Sequence, residues 1–178
     1  MAHTVIPGDP PAPLAAWLAE RRALGQDLFD EVWDGEYHVV PAAHRRHGDL
    51  DDQLAAILRP AARARGLWPS GPANIGGPGN YRVPDRAYFA QRNLATYEST
   101  AELVVEIVST DDESYAKFGF YFDHGVAELL IVDPERAAVE WYRRGETSFE
   151  PADGSALLGI TEADLRAAID WPPTTGGL

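Results

Sequence analysis

The run from Leu103 to Val108, with sequence LVVEIV, constrains the fold more than any other segment of the chain. Its apolar residues occupy both faces, and its β-branched composition is typical of a central strand that is covered on both sides. A carboxylate inside such a strand is costly to desolvate unless it is paired or bound to a metal ion. Glu106 is therefore a candidate site residue. The structural alternative is a strand-edge glutamate that pairs with an arginine.

A second carboxylate precedes Glu106 by 21 residues. Asp85 follows Pro84 within a predicted strand over residues 81–89. A lone Pro-Asp pair is common in turns, but adjacent antiparallel strands would bring Asp85 and Glu106 to one place. Two carboxylates in contact repel each other unless a cation lies between them. Oxygen ligands of this kind favour Mg²⁺, or Mn²⁺, so the pair predicts a divalent metal site.

Lys117 is the only lysine in a chain with fourteen arginines. It lies eleven residues after Glu106, on a helix predicted over 112–123, and Tyr121 falls on the same helix face. A long side chain from the first turns of this helix can reach back to the carboxylates. A compact ammonium there could orient a water molecule or stabilise charge on a phosphate. Chance is the alternative explanation for a single lysine.

Helical periodicity marks three further segments, in which apolar residues recur three or four positions apart. These segments are 14–24, 44–65 and 162–169. Pro60 should end or kink the second helix, and Thr161 suits the N-cap of the third. Thr110 and Glu113 have capping-box spacing at the start of helix 112–123, which Gly125 should end.

The predicted strands meet across two tight turns. Asp34-Gly35 separates 29–33 from 37–40, and a second hairpin joins 127–132 to 137–142. The glycine-rich residues 71–79 are predicted to form a loop or an irregular edge. With one strand–helix–strand crossover in the second half, this order predicts an α/β or α+β fold around one mixed sheet.

The length of 178 residues favours one domain. We expect an N-terminal arm and helix over 1–27, a core over 28–145 and a C-terminal extension of the same domain over 146–178. Nothing resembles a signal peptide or a membrane span, so we expect a cytoplasmic protein. Since the chain has no cysteine, disulfides and thiolate metal sites are excluded.

The net charge of −13 argues against loose binding to a polyphosphate. It does not exclude a nuclease, because a carboxylate cluster that binds a divalent cation is itself acidic and the cation inverts the local charge. The best candidate basic patch lies along the 44–65 helix and consists of Arg45, Arg46, Arg59, Arg63 and Arg65.

Several segments together resemble the Uma-type restriction endonucleases of the PD-(D/E)XK nuclease superfamily, over roughly residues 28–145. The segments that carry this resemblance are Asp34-Gly35-Glu36, His47, Val83-Pro84-Asp85, residues 102–109, Lys117 with Tyr121, residues 125–128 and residues 132–134. The resemblance implies a restriction-endonuclease-like mixed β-sheet flanked by helices.

The resemblance also implies roles for individual residues. Asp85 and Glu106 would be metal ligands, with the carbonyl of Ile107 as a further ligand, and Lys117 would be the catalytic lysine. Val108 stands where the basic superfamily pattern has its lysine, which in this family lies on the following helix. Glu36, His47 and Tyr121 are expected to contact the substrate or support the site. The alternatives are a solvated hairpin residue for Glu36 and a polar cap for His47.

Three functions follow as hypotheses. The first is Mg²⁺-dependent hydrolysis of DNA phosphodiester bonds, with a homodimer to cut both strands. The second is an interaction protein that keeps the nuclease fold without turnover. The third is a phosphodiesterase for small nucleotides, which suits the acidic charge better.

Overall fold

The computed structural model describes residues 4–41, 44–109 and 113–173. Its helices in chain order are α1 (Ala12–Ala23), α2 (Arg45–Ala64), a 3₁₀ turn (Ser114–Lys117), α3 (Phe118–Asp123) and α4 (Glu162–Ala168). Its strands are β1 (Thr4–Ile6), β2 (Glu31–Trp33), β3 (Glu36–Val39), β4 (Trp68–Ser70), β5 (Asn74–Gly77), β6 (Asn80–Arg82), β7 (Arg86–Phe89), β8 (Tyr97–Glu98), β9 (Leu103–Ile107), β10 (Glu128–Asp133), β11 (Ala138–Arg144), β12 (Phe149–Ala152), β13 (Gly154–Ser155) and β14 (Ile160–Thr161).

Strand β9 lies inside a six-stranded mixed sheet, which we call the central sheet, with the order β12-β11-β10-β9-β7-β4. All five residues of β9 are buried, as its apolar composition predicts. It pairs in parallel with β10 and antiparallel with β7. The parallel pairing requires the crossover through α3, and the antiparallel pairing brings the segment before β7 beside the end of β9.

The side chains of β9 alternate between two layers of the core. Leu103, Val105 and Ile107 face the stripe of α2, whose residues Leu50, Leu54, Leu58 and Ala62 are fully buried at four-residue intervals. Val104 packs in a second cluster with Tyr121 of α3. Since Glu106 alternates with these neighbours, it lies on the α3 face of the sheet.

A second six-stranded sheet, which we call the hairpin sheet, has the order β1-β3-β2-β6-β5-β8. Its β2–β3 hairpin turns at Asp34 and Gly35, both of which have positive φ, as an Asp-Gly turn predicts. The confirmed fold class is therefore a mixed α+β architecture, but it has this second sheet in addition to the predicted one. Among the described residues, no helix is long and apolar enough to cross a membrane.

The strand predicted over 81–89 is two strands in two sheets. It divides at Val83-Pro84-Asp85, with β6 in the hairpin sheet and β7 in the central sheet. Pro84 cannot donate to a strand ladder, so the chain leaves one sheet there and enters the other. The prediction of one continuous strand over 81–89 was wrong. The break between β6 and β7 places Asp85 at the joint between the two sheets.

Residues 71–79 are more regular than predicted, because β5 lies between β6 and β8 in the hairpin sheet. The glycine at position 76 allows this segment to pair as a strand. Its φ is +116°, and a Cβ atom there would lie 2.4 Å from the carbonyl oxygen of Asn80. The strand thus requires glycine at this position, where its backbone packs closely against β6.

Helix α2 continues through Pro60 to Ala64, which confirms the predicted span of 44–65; of the two effects expected at Pro60, an end or a kink, the end does not occur. Pro60 is exposed, whereas Leu58 and Ala62 on either side of it are buried in the core. The buried stripe therefore holds both halves of the helix against the sheet and offsets the hydrogen bond that proline cannot make.

The N-terminal end of the described chain contains a strand that the sequence does not predict, whereas the C-terminal end agrees with the prediction. Residues Thr4–Ile6 of the predicted N-terminal arm form β1, which pairs with β3. Helix α1 has the predicted position but no buried residue. At the other end, the Thr161 side chain accepts a hydrogen bond from the amide of Asp164, as its predicted N-cap role requires.

The helix predicted over 112–123 begins as the 3₁₀ turn and continues as α3. Its end is as predicted, because Gly125 has a φ of +77° directly after the cap residue His124. Thr110, with the first residues of the predicted helix start, lies outside the described residues.

Candidate active site

Asp85 lies at the joint between the two sheets and is held by two elements. Its Oδ2 accepts a hydrogen bond from the Ile107 amide at 2.7 Å, in the strand that carries Glu106. Its Oδ1 lies 2.7 Å from Nε2 of His47, in the first turns of α2. The structure therefore brings the Asp85 carboxylate to the end of β9, as the sequence predicts.

Glu106 is 3% exposed and faces α3. Its Oε1 and Oε2 lie 3.2 and 3.3 Å from the Lys117 ammonium, and it accepts a short hydrogen bond from the Tyr121 hydroxyl. Burial raises the pKa of Glu106 to about 8; Asp85 also raises it, while Lys117 opposes the shift. The predicted constellation of Glu106, Lys117 and Tyr121 is thus assembled around one buried carboxylate.

Glu31 is a third buried carboxylate, which the sequence predictions missed. Its Oε1 lies 2.9 Å from the Lys117 ammonium and accepts a hydrogen bond from the Val83 amide at 2.7 Å. Its Oε2 accepts from the Trp33 indole at 2.6 Å. The available signal was the same as for Glu106: a charged residue inside a predicted strand, here 29–33.

Lys117 bridges two strands that belong to different sheets. Its side chain is largely buried between Glu31 of β2 and Glu106 of β9. Burial alone would lower the pKa of Lys117, but Glu106 and Glu31 raise it further than burial lowers it. The group is therefore an ammonium at neutral pH. Burial, with the nearby carboxylates, also keeps the Tyr121 hydroxyl protonated by raising its pKa.

Arg82 forms one wall beside this cluster. Its guanidinium lies between the Trp33 and Phe120 rings, 4.2 Å from each centroid, and donates to the Val32 carbonyl at 2.8 Å. Burial lowers the pKa of Arg82, while Glu31 opposes that shift. Because Arg82 links β6 to the β2 backbone, it fixes the strand from which Glu31 projects.

His47 supports Asp85 from the α2 side. Burial lowers the pKa of His47, but the hydrogen bond and the charge of Asp85 raise it more, so the net shift is upward. Its Nδ1 is buried and has no hydrogen-bond partner within the described residues. The structure thus places His47 next to Asp85, where it can orient that carboxylate.

Glu36 is not brought to this cluster. It is exposed at the start of β3, opposite Trp33 in the hairpin register, and makes no hydrogen bond or ion pair with the described cluster residues. The acidic residue that the hairpin contributes is Glu31 instead. Ile107 contributes its amide to Asp85, and its carbonyl stays a predicted metal ligand.

The donor set fits a hard divalent cation, although no group of three or more histidine, cysteine or acidic side chains in the described ranges forms a ready metal cage. Asp85 and Glu106 offer the oxygen ligands that Mg²⁺ and Mn²⁺ prefer. Two carboxylates contact the single lysine, and the pKa of Glu106 is raised first by burial and further by the charges of Asp85 and Glu31. A cation at Asp85 and Glu106 would reduce the repulsion.

Comparison with solved structures defines the class of fold. A crystal structure from Anabaena variabilis ATCC 29413, described as a "putative nuclease belonging to DUF820", matches with a TM-score of 0.65 and 15% sequence identity. The match covers 78% of this chain and 90% of that one. The fold is therefore that of a protein described as a nuclease. No curated protein matches the chain at a significant level.

The chain belongs to the Uma2 family, described as "Putative restriction endonuclease", whose profile matches residues 18–165. The resemblance to Uma-type endonucleases is thus confirmed, and the family supports a nuclease. The matched range includes Glu31, Asp85, Glu106 and Lys117. The roles of these residues stay predictions.

Proposed function

We propose that this protein is a divalent-metal-dependent nuclease that hydrolyses DNA phosphodiester bonds at the cluster of Asp85, Glu106 and Lys117. One observation carries the proposal. The buried Lys117 ammonium lies within 3.3 Å of two carboxylates that come from different sheets. The strand that carries one of them, Glu106, also holds the Asp85 carboxylate through the Ile107 amide. Together with the family assignment, this arrangement supports phosphodiester hydrolysis better than a purely structural ion pair.

Asp85 and Glu106 would hold the metal ion, with the Ile107 carbonyl as a further ligand. When bound, the ion supplies Lewis acidity toward a phosphate oxygen and lowers the pKa of a coordinated water. In the overall reaction a water oxygen forms a bond to phosphorus, the bond to the leaving oxygen breaks, and the leaving oxygen takes up a proton. The oxygen donors suit Mg²⁺ and Mn²⁺ alike.

Lys117 has the role of a fixed positive charge. Because Glu31 and Glu106 keep it protonated, it can stabilise the negative charge that develops on the phosphate, but it does not serve as a base. Tyr121 holds Glu106 from the other side by donating its hydroxyl hydrogen. His47 would orient Asp85, and Glu31 would position the lysine ammonium.

DNA is proposed as the substrate because the family is described as restriction endonucleases. Cutting both strands of a duplex requires two sites, so we propose a homodimer that acts in the cytoplasm. The 28–145 core and its two extensions stay the proposed division of the domain.

The decisive experiment compares wild type, Lys117→Ala and Lys117→Arg in cleavage of supercoiled plasmid with Mg²⁺, Mn²⁺ or EDTA. We expect metal-dependent nicking by wild type and a loss on the order of a hundredfold or more in Lys117→Ala, because a preorganised charge is removed. Lys117→Arg should recover little of the rate, since a planar guanidinium does not fit the space of an ammonium. Equal cleavage by Lys117→Ala and wild type would contradict the proposal.

The net charge of −13 favours a second candidate, a phosphodiesterase for small nucleotides. Such a substrate would not need the extended positive surface that long nucleic acids require. Hydrolysis of dinucleotides without plasmid cleavage would select this candidate. Calorimetry without detectable binding of Mg²⁺ or Mn²⁺ at millimolar concentration would instead favour a nuclease fold that acts only in protein interactions.

A further inference from the structure

A cleft of about 550 Å³ lies between the outer strands of the two sheets, away from the lysine cluster. We call it the edge cleft. Its lining includes Trp68, Asn74, Tyr81, Phe89, Arg92 and Tyr97. Strand β4 is the last strand of the central sheet and β8 is the last strand of the hairpin sheet, so the cleft opens where both sheets end. Its volume falls in the range of small-molecule sites.

Four aromatic residues contribute to the walls of the edge cleft. Trp68, Phe89 and Tyr97 are half-buried, which leaves ring surface open to the cleft, and Tyr81 is buried beneath them. The Tyr81 and Tyr97 rings contact each other edge to face at 5.4 Å, which fixes the orientation of Tyr97. Flat aromatic surface of this kind is suited to stacking against another planar ring system.

Two arginines lie at the Trp68 ring of the edge cleft: Arg92 lines the cleft, together with Asp27 and Glu98, and Arg63 lies outside the lining but contacts Trp68. The Arg63 guanidinium lies 3.9 Å and the Arg92 guanidinium 5.5 Å from the centroid of the Trp68 ring. Within the described part of the chain, neither makes a hydrogen bond or ion pair, whereas Arg21, Arg46 and Arg86 each pair with a carboxylate. Both positive charges therefore stay available beside the Trp68 ring.

Side-chain amides supply hydrogen-bonding groups inside the edge cleft. Asn74 donates to the Thr96 carbonyl at 2.9 Å, which leaves its own carbonyl oxygen open, and Gln91 and Asn93 line the same wall. Amides of asparagine and glutamine pair with the edges of nucleobases. These three features match the parts of a nucleotide. The aromatic rings suit its base, the amides suit the polar edge of the base, and the arginines suit its phosphate.

The edge cleft and the lysine cluster share one stretch of chain. Tyr81 and Phe89 line the cleft, and Asp85 lies midway between them at the joint of the sheets. Phe89 lies four residues after Asp85, which corresponds to about 13 Å of extended chain. A nucleic-acid strand that enters the lysine cluster could therefore continue into the cleft.

We propose that the edge cleft binds one nucleotide unit, with its base against the aromatic wall and its phosphate at Arg63 and Arg92. The proposal deepens the nuclease function proposed above and rests on it for the identity of the ligand. The nucleotide comes either from a single-stranded part of the substrate or from a free mononucleotide. Both sources share the same chemistry, and binding experiments separate them.

The test measures binding of a fluorescein-labelled single-stranded oligodeoxynucleotide by anisotropy in EDTA, in a Lys117→Ala background that prevents cleavage. The cleft variant is Arg63→Gln/Arg92→Gln. The matched control is Arg65→Gln/Arg166→Gln, which removes the same charge from exposed positions outside the cleft that make no ion pair with the described residues. We expect the dissociation constant to rise roughly tenfold in the cleft variant and less than twofold in the control.

Salt dependence adds a second readout. The slope of log affinity against log salt should become shallower by about 1.4 in the cleft variant, because each neutralised phosphate of a single strand contributes about 0.7. Tyr97→Leu should weaken binding without changing this slope, since it removes stacking but no charge. Displacement of the oligonucleotide by deoxyadenosine monophosphate, with the same arginine dependence, would identify a free nucleotide as a ligand. Binding without displacement would identify the strand.

Equal affinity of the cleft variant and the control would overturn the edge-cleft proposal, as would binding of duplex DNA alone. Metal-dependent plasmid cleavage by the protein with native Lys117 is measured separately. If the protein cleaves plasmid but the cleft variant binds the oligonucleotide as tightly as its control, only the edge-cleft proposal is refuted. If binding depends on the two arginines but the protein cleaves nothing, only the proposed nuclease function is refuted.

Discussion

Two buried glutamates on neighbouring parallel strands have opposite surroundings. Glu106 of β9 and Glu128 of β10 are 3% and 5% exposed. Among the described residues, Glu128 accepts hydrogen bonds only from neutral donors: the Ser155 hydroxyl and the amides of Ala156 and Leu157. Glu106 instead faces an ammonium, a phenol and other carboxylates. A buried acid in a strand is therefore not sufficient to identify a site, and the charge of its partners distinguishes the two.

The difference lies in what each carboxylate holds in place. Glu128 fixes the turn after β13 to the start of β10, because three donors from one short segment converge on it. Glu106 makes no hydrogen bond to the backbone of the described segments, and its carboxylate instead positions Lys117 and Tyr121. We infer that Glu128 stabilises the fold and that Glu106 creates a local electrostatic environment for chemistry.

The largest effect expected from this comparison is the loss of activity in Glu106→Gln. We expect a decrease on the order of a thousandfold in metal-dependent cleavage, because the variant loses a charged ligand. Its thermal unfolding should stay close to that of wild type, since glutamine has the same size and Lys117 keeps Glu31 at 2.9 Å. Strong destabilisation with retained activity would reverse the comparison.

Glu128→Gln should show the opposite pattern. Its amide cannot accept from all three donors, so we expect the free energy of unfolding to fall by about 2 kcal/mol, as for hydrogen bonds to a charged acceptor. Cleavage per folded molecule should be unchanged. Urea denaturation measures the first quantity, and plasmid cleavage at a temperature well below unfolding measures the second.

Tyr121→Phe tests whether Glu106 must be held from both sides. Loss of the hydroxyl removes one hydrogen bond and leaves Lys117 in place, so we expect a roughly tenfold decrease in cleavage, as is common for partners that orient a metal ligand. The apparent affinity for Mg²⁺, obtained from cleavage rates across metal concentrations, should weaken as well. An unchanged metal dependence would assign Tyr121 to packing alone.

The smallest effect is expected for Glu36→Gln. Because Glu36 is exposed and does not pair with the cluster, unfolding should change by less than about 0.5 kcal/mol and cleavage by less than twofold. The matched variant Glu31→Gln removes a buried partner of Lys117 in the same hairpin and should impair cleavage clearly. A large effect of Glu36→Gln would instead point to a substrate contact.

The sequence predicts best those elements whose signal is local. The β9 strand, the Asp34-Gly35 hairpin and the buried stripe of α2 each depend on composition or spacing within a few residues, and each is confirmed. The meeting of Asp85, Glu106 and Lys117 also follows, because strand adjacency and helix direction decide it. Their chemical roles are not tested by the fold.

The features that the sequence does not predict depend on contacts between distant segments. The local sequence around Pro84 does not indicate that the two halves of residues 81–89 belong to different sheets. The inclusion of β5 depends on close packing against β6 at Gly76. Glu31 reaches Lys117 because the hairpin sheet packs against the segment of α3, which is a contact between distant parts of the chain. From its local sequence alone, Glu31 looks like an ordinary polar residue of a hairpin.

The Asp85 carboxylate replaces a missing backbone partner of strand β9. It accepts a hydrogen bond from the Ile107 amide at the end of β9, where the chain before β7 no longer pairs with that strand. The proposed metal ligand thus also closes the hydrogen-bonding pattern of β9. A relative that had lost nuclease activity would still gain stability from keeping an aspartate here. In judging which relatives are active enzymes, this acid is therefore a weak indicator, and the lysine of the cluster is a better one.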